Sequence, residues 1–319
     1  MTPERHQHAD AGVLRIVPIE LEYLDQSEAA LAFLVQIEGL PPALVECGPE
    51  ACRSRLEAAL RGHGVDPASI GNLFLTHIHL DHAGAAGAFA ARGATVHVHP
   101  RGVRHLVDPA KLNDSSRRVH GERFDRWYGP MASIEPTRLA AAADGATVDL
   151  GSTRFRAVET PGHAKHHHAW MLEHAGRREC FTGDVAAMIV PGSDFISVPT
   201  PATDFDPEVW DASLARLEAE RPDRLWLTHG GRVDDAAGVL AKARRRVAEE
   251  ASFLIETASS CDDREAVERY RAWLHPRAEA AGVDRAVRSA FLGPAFLEMN
   301  LAGVRKLLKD RAKAAASQD

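Results

Sequence analysis

A chain of 319 residues with 45% hydrophobic content is long enough for one large domain plus an appendage. Its formal charge of −7 (38 basic against 45 acidic residues), the lack of a basic block and an aromatic content of 6% disfavour nucleic-acid binding. The four cysteines (Cys47, Cys52, Cys180, Cys261) form no C-x-x-C pair and read as reduced thiols; no apolar run reaches the ~18–20 residues of a membrane span, and residues 1–8 carry no apolar leader core, so a cytoplasmic location without membrane association is expected.

Short apolar runs at 13–17, 32–37 and 43–47 read as strands. Gly48-Pro49 turns the chain, and a helix is predicted from Pro49 to about Leu60, where Gly62-His63-Gly64 stops it. The run Leu73-Phe74-Leu75 leads straight into Thr76-His77-Ile78-His79-Leu80-Asp81-His82-Ala83-Gly84. Its three imidazoles and one carboxylate are good ligands for borderline divalent cations. On an extended chain His77 and His79 point to one side. Asp81 and His82 fall where the chain leaves the strand and can turn toward a second cation. Small residues follow, so the next helix (about 84–92) can bring its positive N-terminal end close to bound anions. A second H-x-H, His97 and His99 on the strand 95–99, reads as structural.

Residues 100–145 are the least regular part of the core region. They interleave arginines with His105, His120, Trp127 and Tyr128, and read as a helical cap whose cationic and aromatic groups help bind a substrate carboxylate. Two cations sharing an exchangeable water need more than four protein ligands. Thr160-Pro161-Gly162-His163 follows the strand 155–158, Cys180-Phe181-Thr182-Gly183-Asp184 ends in a carboxylate, and Leu225-Trp226-Leu227-Thr228-His229-Gly230-Gly231 carries an imidazole. Each puts one candidate ligand at a strand end beside glycine, which permits tight turns. Of His166, His167 and His168, one is expected to face the site and another to lie on the strand 168–172; His167 is the candidate for substrate contact. The loop 190–196 offers Phe195 as a second wall. Asp206-Pro207 reads as an N-cap and first-turn pair, heading a helix striped by Val209, Trp210, Leu214 and Leu217. Beyond Gly231 the pattern is helical, with Val239, Leu240, Ala243, Val247 and Leu254 at helical spacing and further runs at 266–274, 285–291 and 301–308.

Taken together and in this order, the four ligand-bearing segments resemble the signature of the metallo-β-lactamase superfamily over about residues 16–231. The resemblance implies an α/β fold, the αβ/βα sandwich of two facing mixed sheets flanked by helices, with a dinuclear site at one edge. Residues 1–235 would form the catalytic domain, with the cap at 100–145, and 236–319 a helical C-terminal region. Carried over position by position, His77, His79 and His163 hold the first metal, Asp81, His82 and His229 the second, and Asp184 bridges the two. Asp81 and Asp184 are then the catalytic carboxylates. The implied cofactors are two divalent ions, zinc first, with iron or manganese suited to the same donors. Such ions share a water, bring its pKa toward ~7 and direct it at a carbonyl or phosphoryl centre.

His79 stands where flavodiiron-type relatives carry glutamate, which argues against oxygen reduction. The stretches 161–167 and 199–206 are similar to prokaryotic members grouped with lactonases and glyoxalase II-like proteins. Ester or lactone hydrolysis of a small molecule is therefore expected first, and hydroxyacylglutathione-type thioester hydrolysis second. A mononuclear iron persulfide dioxygenase and a metal-binding scaffold with little turnover rank lower. Two departures stand out. Quorum-lactone hydrolases place a tyrosine shortly after the bridging aspartate, where this chain has Val185-Ala186-Ala187-Met188, leaving Tyr128 as the phenol from the cap. The small-residue and Leu-Phe pattern of hydroxyacylglutathione hydrolases is absent as well. Three roles are open to the C-terminal helices: binding the thiol half of a substrate, forming a homodimer, or adding stability.

Overall fold

The computed structural model describes residues 12–26, 28–201 and 204–317. Residues 1–8 and positions 202 and 203 of the 199–206 stretch lie outside the described residues. The first half of the chain builds one sheet from β1 (Leu14–Glu20), β2 (Leu31–Ile37), β3 (Ala43–Val45), β4 (Asn72–Phe74), β5 (Thr95–Val98) and β6 (Leu139–Ala141), side by side in that order. Antiparallel pairing joins β1 to β2 and β2 to β3; the pairings from β3 to β6 are parallel. Pro18 sits in β1, which among the described residues pairs with β2 alone, an edge position where proline is tolerated.

The second half supplies β7 (Thr147–Leu150), β8 (Thr153–Glu159), β9 (His168–His174), β10 (Arg177–Phe181), a small hairpin of β11 (Met188–Ile189) and β12 (Ile196–Ser197), then β13 (Arg224–Leu227) and β14 (Gly231–Val233). The second sheet has the order β14-β13-β10-β9-β8-β7, and the hairpin stands apart. The fold is thus the expected α/β sandwich of two mixed sheets flanked by helices, with further helices at the C-terminus.

Side-chain alternation decides which face packs where. Along β2, Leu31, Phe33, Val35 and Ile37 point between the sheets, whereas Ala32 and Leu34 point to the helical layer. Phe74 likewise faces inward, between Leu73 and Leu75, which face the helices. Inside the sandwich, Phe74 stacks on Phe155 with centroids 4.0 Å apart and meets Trp170 edge-on at 4.9 Å; Phe33 contacts Phe181 and Trp226. These rings are fully or nearly fully buried, and truncating Phe33 or Phe74 to alanine would cost about 3–5 kcal/mol.

Helices α1 (Arg53–Gly62), α2 (Leu80–Ala83), α3 (Ala86–Ala91), α4 (Pro100–Val107), α5 (Ala110–His120) and α6 (Arg123–Trp127) belong to the first half. The α-helices of the 100–145 insertion end at Trp127, a short 3-10 turn follows at Pro136–Arg138, and Leu139–Ala141 pairs with β5 as the sixth strand, which the alanine-rich run 140–143 did not advertise. Helix α7 (Pro207–Glu220) starts as expected, the Asp206 side chain accepting from the Val209 N–H at 3.2 Å. Then come α8 (Ala236–Ser260), α9 (Asp263–Ala280), α10 (Arg285–Phe291) and α11 (Pro294–Ala316). The apolar stripe of α8 is buried, and it shares one continuous apolar cluster with α7, α11 and the outer faces of the sheets. No helix among the described residues is long and apolar enough to cross a membrane.

Register brings the functional segments to one edge. In the first sheet Val45 pairs with Phe74 in parallel, so Glu46 and the Thr76–His82 segment leave in the same direction. In the second, Phe181 pairs with Trp226 in parallel, and Asp184 and His229 each follow three residues later. Glu159 and His168 close the β8–β9 ladder, leaving His163 on the loop between them.

Candidate metal centre

Seven side chains converge where these strands end. The Nε2 atoms of His77 and His163 lie 2.9 and 3.0 Å from His79 Nδ1, so three imidazole nitrogens point at one spot. A second group forms beside it: Asp81 Oδ2 is 4.0 Å from His82 Nε2 and 3.6 Å from His229 Nε2. Asp184 stands between the groups. Its Oδ2 is 3.3 Å from His163 Nε2, and its Oδ1 is 3.1 Å from His82 Nε2 and 3.5 Å from His229 Nε2. All seven residues singled out as ligands are therefore brought together, in overlapping groups whose candidate donor atoms lie within 4.8 Å of one another.

The donor set fits divalent cations. His82 Nε2 and Asp184 Oδ1 are buried and, despite their proximity, lack hydrogen-bond alignment. Orphaned buried polar atoms are costly unless something else meets them. Burial, reinforced by neighbouring imidazoles, pushes His77 and His79 well below the usual histidine range, so both are neutral and offer lone pairs. Burial also lowers His163, against the opposing pull of Asp184. In the second group, burial opposes the charge on His82, but the carboxylates of Asp184, Asp81 and Glu46 outweigh it and raise this imidazole well above its ordinary value. Burial pushes the Asp184 carboxyl up, and His82, His163 and His229 together hold it well below. A dense carboxylate and imidazole cluster drawing in positive charge suits N/O-ligated cations such as zinc, iron or manganese.

The ring nitrogens facing away from the cluster are tied down. His163 Nδ1 donates to the Pro199 carbonyl at 3.1 Å, and His229 Nδ1 to the Ala29 carbonyl at 2.5 Å. His77 Nδ1 meets the Thr76 hydroxyl at 3.1 Å, and that hydroxyl donates to Glu46 Oε1 at 2.5 Å. The same carboxylate oxygen lies 3.4 Å from His82 Nδ1. Such outer partners fix the tautomer and direction of a ligand imidazole. Glu46 is fully buried and was not singled out in the sequence; an acid at the end of the apolar strand 43–45, just before Gly48-Pro49, was the available signal.

Glycines before two ligands permit close packing. Gly162 has φ +128°, and a Cβ there would lie 2.4 Å from the Trp210 Cα. Gly183 has φ +51°, and a Cβ would lie 2.4 Å from Thr76 Oγ1 and 2.7 Å from His167 Nε2.

The three residues proposed to contact substrate fall in different places. His167 is fully buried: Nδ1 pairs with Thr160 Oγ1 at 2.8 Å, and Nε2 accepts from the Asp184 backbone N–H at 3.1 Å. Both nitrogens are thus occupied by protein, and the ring braces the Asp184 segment. Phe195 is also buried, under the Arg246 guanidinium at 4.8 Å, so it packs toward α8. Tyr128 lies within electrostatic reach of Asp81. Burial and the nearby Asp81 charge both raise its phenol, which shares a hydrogen bond with Tyr23. His120 lies against Tyr128 with centroids 4.7 Å apart. His168 is on β9, where its Nε2 and the Trp170 Nε1 both meet the Leu75 carbonyl and stitch the sheets together. His97 meets Asn72 Oδ1 at 2.8 Å and stacks on Phe74, a structural place.

A two-sheet sandwich carrying a seven-residue His/Asp cluster at one edge is a protein built around a metal-binding rim. The sequence profile of the Metallo-beta-lactamase superfamily matches residues 28–229, more than half of the chain, and the chain belongs to that superfamily, whose members are generally metal-dependent hydrolases. Among curated proteins it is similar to a metallo-beta-lactamase fold-containing protein of Sulfurisphaera tokodaii, 28% identical over 165 residues; the match covers 50% of this chain and 60% of that protein. Among solved structures it resembles an archaeal metallo-beta-lactamase superfamily protein from Sulfolobus tokodaii (TM-score 0.64, 20% identity, 92% of this chain and 98% of that one). It also resembles a metallo-beta-lactamase family protein from Thermus thermophilus (TM-score 0.64, 21% identity, 94% of each chain). A subclass B3 metallo-beta-lactamase of Bradyrhizobium japonicum is further away (TM-score 0.53, 18% identity, 72% of this chain and 88% of that one). At these identities the structural likeness concerns the fold.

Proposed function

We propose that this chain is a dinuclear metal-dependent hydrolase that cleaves a carboxylic ester or lactone in a small molecule. The observation that carries the reading is the divided Asp184 carboxylate, one oxygen facing His163 and the other facing His82 and His229. Two divalent cations held by these donors, zinc in the first instance, would acidify a shared water and polarise the ester carbonyl. Asp81 keeps 22% of its side chain exposed, more than Asp184, and is the carboxylate best able to orient an entering water and accept its proton. The Tyr128 phenol, raised by burial and by Asp81, stays protonated at neutral pH and can donate to a substrate oxygen. Its position supports an oxygen-bearing substrate and answers the lack of a tyrosine directly after Asp184.

Metal analysis coupled to a substrate panel tests the reading. Near two equivalents of metal are expected, with turnover of lactones or aryl esters exceeding that of S-lactoylglutathione and of a cephalosporin, and abolished in Asp184→Ala. Faster turnover of the glutathione thioester would shift the assignment to the thioesterase class. Turnover of the cephalosporin alone, as the likeness to a subclass B3 metallo-beta-lactamase invites, would replace the ester reading. One equivalent of iron with oxygen consumption in the presence of glutathione persulfide would overturn the hydrolytic reading altogether.

A further inference from the structure

The C-terminal helices reach the metal centre through a buried polar relay. His163 donates from Nδ1 to the Pro199 carbonyl, and a single side chain from α11 holds the backbone on both sides of that proline. Asn300 Oδ1 accepts from the Thr200 N–H at 2.9 Å, and Asn300 Nδ2 donates to the Val198 carbonyl at 2.8 Å. The Thr200 hydroxyl donates to the Asn300 carbonyl at 3.0 Å. Asn300 is fully buried, and its amide also donates to the Tyr270 hydroxyl of α9 at 2.8 Å. That hydroxyl donates to Glu250 of α8, itself fully buried. Three helices thus join in one connected network gripping the segment ahead of Thr200. Helix α11 comes so close that a Cβ at Gly303 would lie 2.0 Å from the Thr200 carbonyl oxygen.

Apolar packing could dock α11 without any of this. Buried polar groups are costly unless every partner is supplied, and here both amide hydrogens and the carbonyl of Asn300 are used. What the network adds over apolar contact is a single fixed position for the Pro199 carbonyl. An imidazole anchored at Nδ1 presents Nε2 in one direction.

We infer that Asn300, supported by Tyr270 and Glu250, is a positioning residue for His163, so that the C-terminal helices set the affinity of the cation group formed by His77, His79 and His163. This rests on the metal-centre reading given under the proposed function. Asn300→Ala removes the clamp. Tyr270→Phe is the milder variant, keeping the ring and losing only the hydroxyl between Asn300 and Glu250. Leu307→Ala, on α11 and without polar contacts, controls for a general loss of helix docking. Zinc affinity is measured by competition with a chromophoric chelator, alongside the unfolding temperature of the metal-free proteins. Two cations are expected in the unaltered protein, with one of the two bound about 10- to 100-fold more weakly in N300A and Y270F. L307A is expected to lower the unfolding temperature and leave both affinities in place. Unchanged affinities in N300A and Y270F, or an equal loss in L307A, would overturn the inference while leaving the metal centre standing. An unaltered protein that binds no zinc would remove both.

Discussion

Glu46 Oε1 lies 3.4 Å from His82 Nδ1, on the ring nitrogen opposite the one that faces Asp184. The same oxygen accepts from the Thr76 hydroxyl, which contacts His77. One buried carboxylate therefore stands behind a histidine of each cation group. Glu46→Gln preserves shape and removes charge. It is expected to weaken metal binding about 10- to 100-fold while the metal-free protein stays folded. Chelator competition and circular dichroism check this; wild-type metal affinity in the variant would reduce Glu46 to a packing residue.

His167 acts on Asp184 through the backbone, accepting its N–H at 3.1 Å. His167→Ala leaves that buried N–H without a partner, a cost of about 1–3 kcal/mol. The expected signature is a fall in kcat with KM little changed, because both ring nitrogens are taken up by protein partners. A large rise in KM at constant kcat would instead return His167 to the substrate wall.

Gly183 cannot accept a side chain quietly. Its left-handed backbone and the 2.4 Å approach of a Cβ to Thr76 Oγ1 combine strain with collision. Gly183→Ala is expected to lose about 1–3 kcal/mol of stability from the backbone alone, and metal binding with it. Urea denaturation of the metal-free protein measures the first, and metal analysis the second.

Tyr128→Phe removes the phenol beside Asp81. A drop of about tenfold in kcat/KM, near 1.4 kcal/mol, is expected, together with a lower unfolding temperature from the lost hydrogen bond to Tyr23. Undiminished turnover would leave Tyr128 as a passive wall against His120 and Tyr23.

Acid should weaken the fold through buried histidines outside the ligand set. Burial lowers His97 to about 4 and His168 to about 3, so both rings are neutral when folded and take up protons below about pH 6.5 when unfolded. Their contribution is complete above pH 6.5 and is lost as pH falls toward those lower values, since the unfolded chain then binds more protons. For His97 the full loss is about 3 kcal/mol. Urea denaturation of chelator-treated protein at pH 7 and pH 4.5 should show a smaller decline in His97→Gln than in the unaltered chain. Parallel declines would contradict the assignment.

The ligand cluster was legible because each member is marked locally. His163, Asp184 and His229 each sit a few residues past a strand and next to a glycine, and the string from His77 to His82 is compact enough to stand out unaided. The sandwich itself was reached through the family resemblance; the local pattern alone gave only strands and helices. What stayed hidden depends on partners distant in the chain. Phe195 looked like a site wall because it follows Asp184 closely, but Arg246 from α8 covers its ring. Thr200 and Asn300 are 100 residues apart, and no local pattern links them. Glu250 did leave a trace: it falls on the buried stripe between Val247 and Leu254, where an acid needs a partner.

His77, His79, Asp81 and His82 come from the first sheet's half of the chain, and His163, Asp184 and His229 from the second's. Chelation at that rim would therefore fasten together two halves that otherwise meet through a mixed aliphatic and aromatic core. By mass action, free zinc at 100 times its dissociation constant would add about 2.7 kcal/mol per bound ion against unfolding. If the rim holds metal as proposed, the ambient supply of the ion would then set the resistance of the whole molecule to heat and proteolysis, and starvation for it would thin the population of the protein.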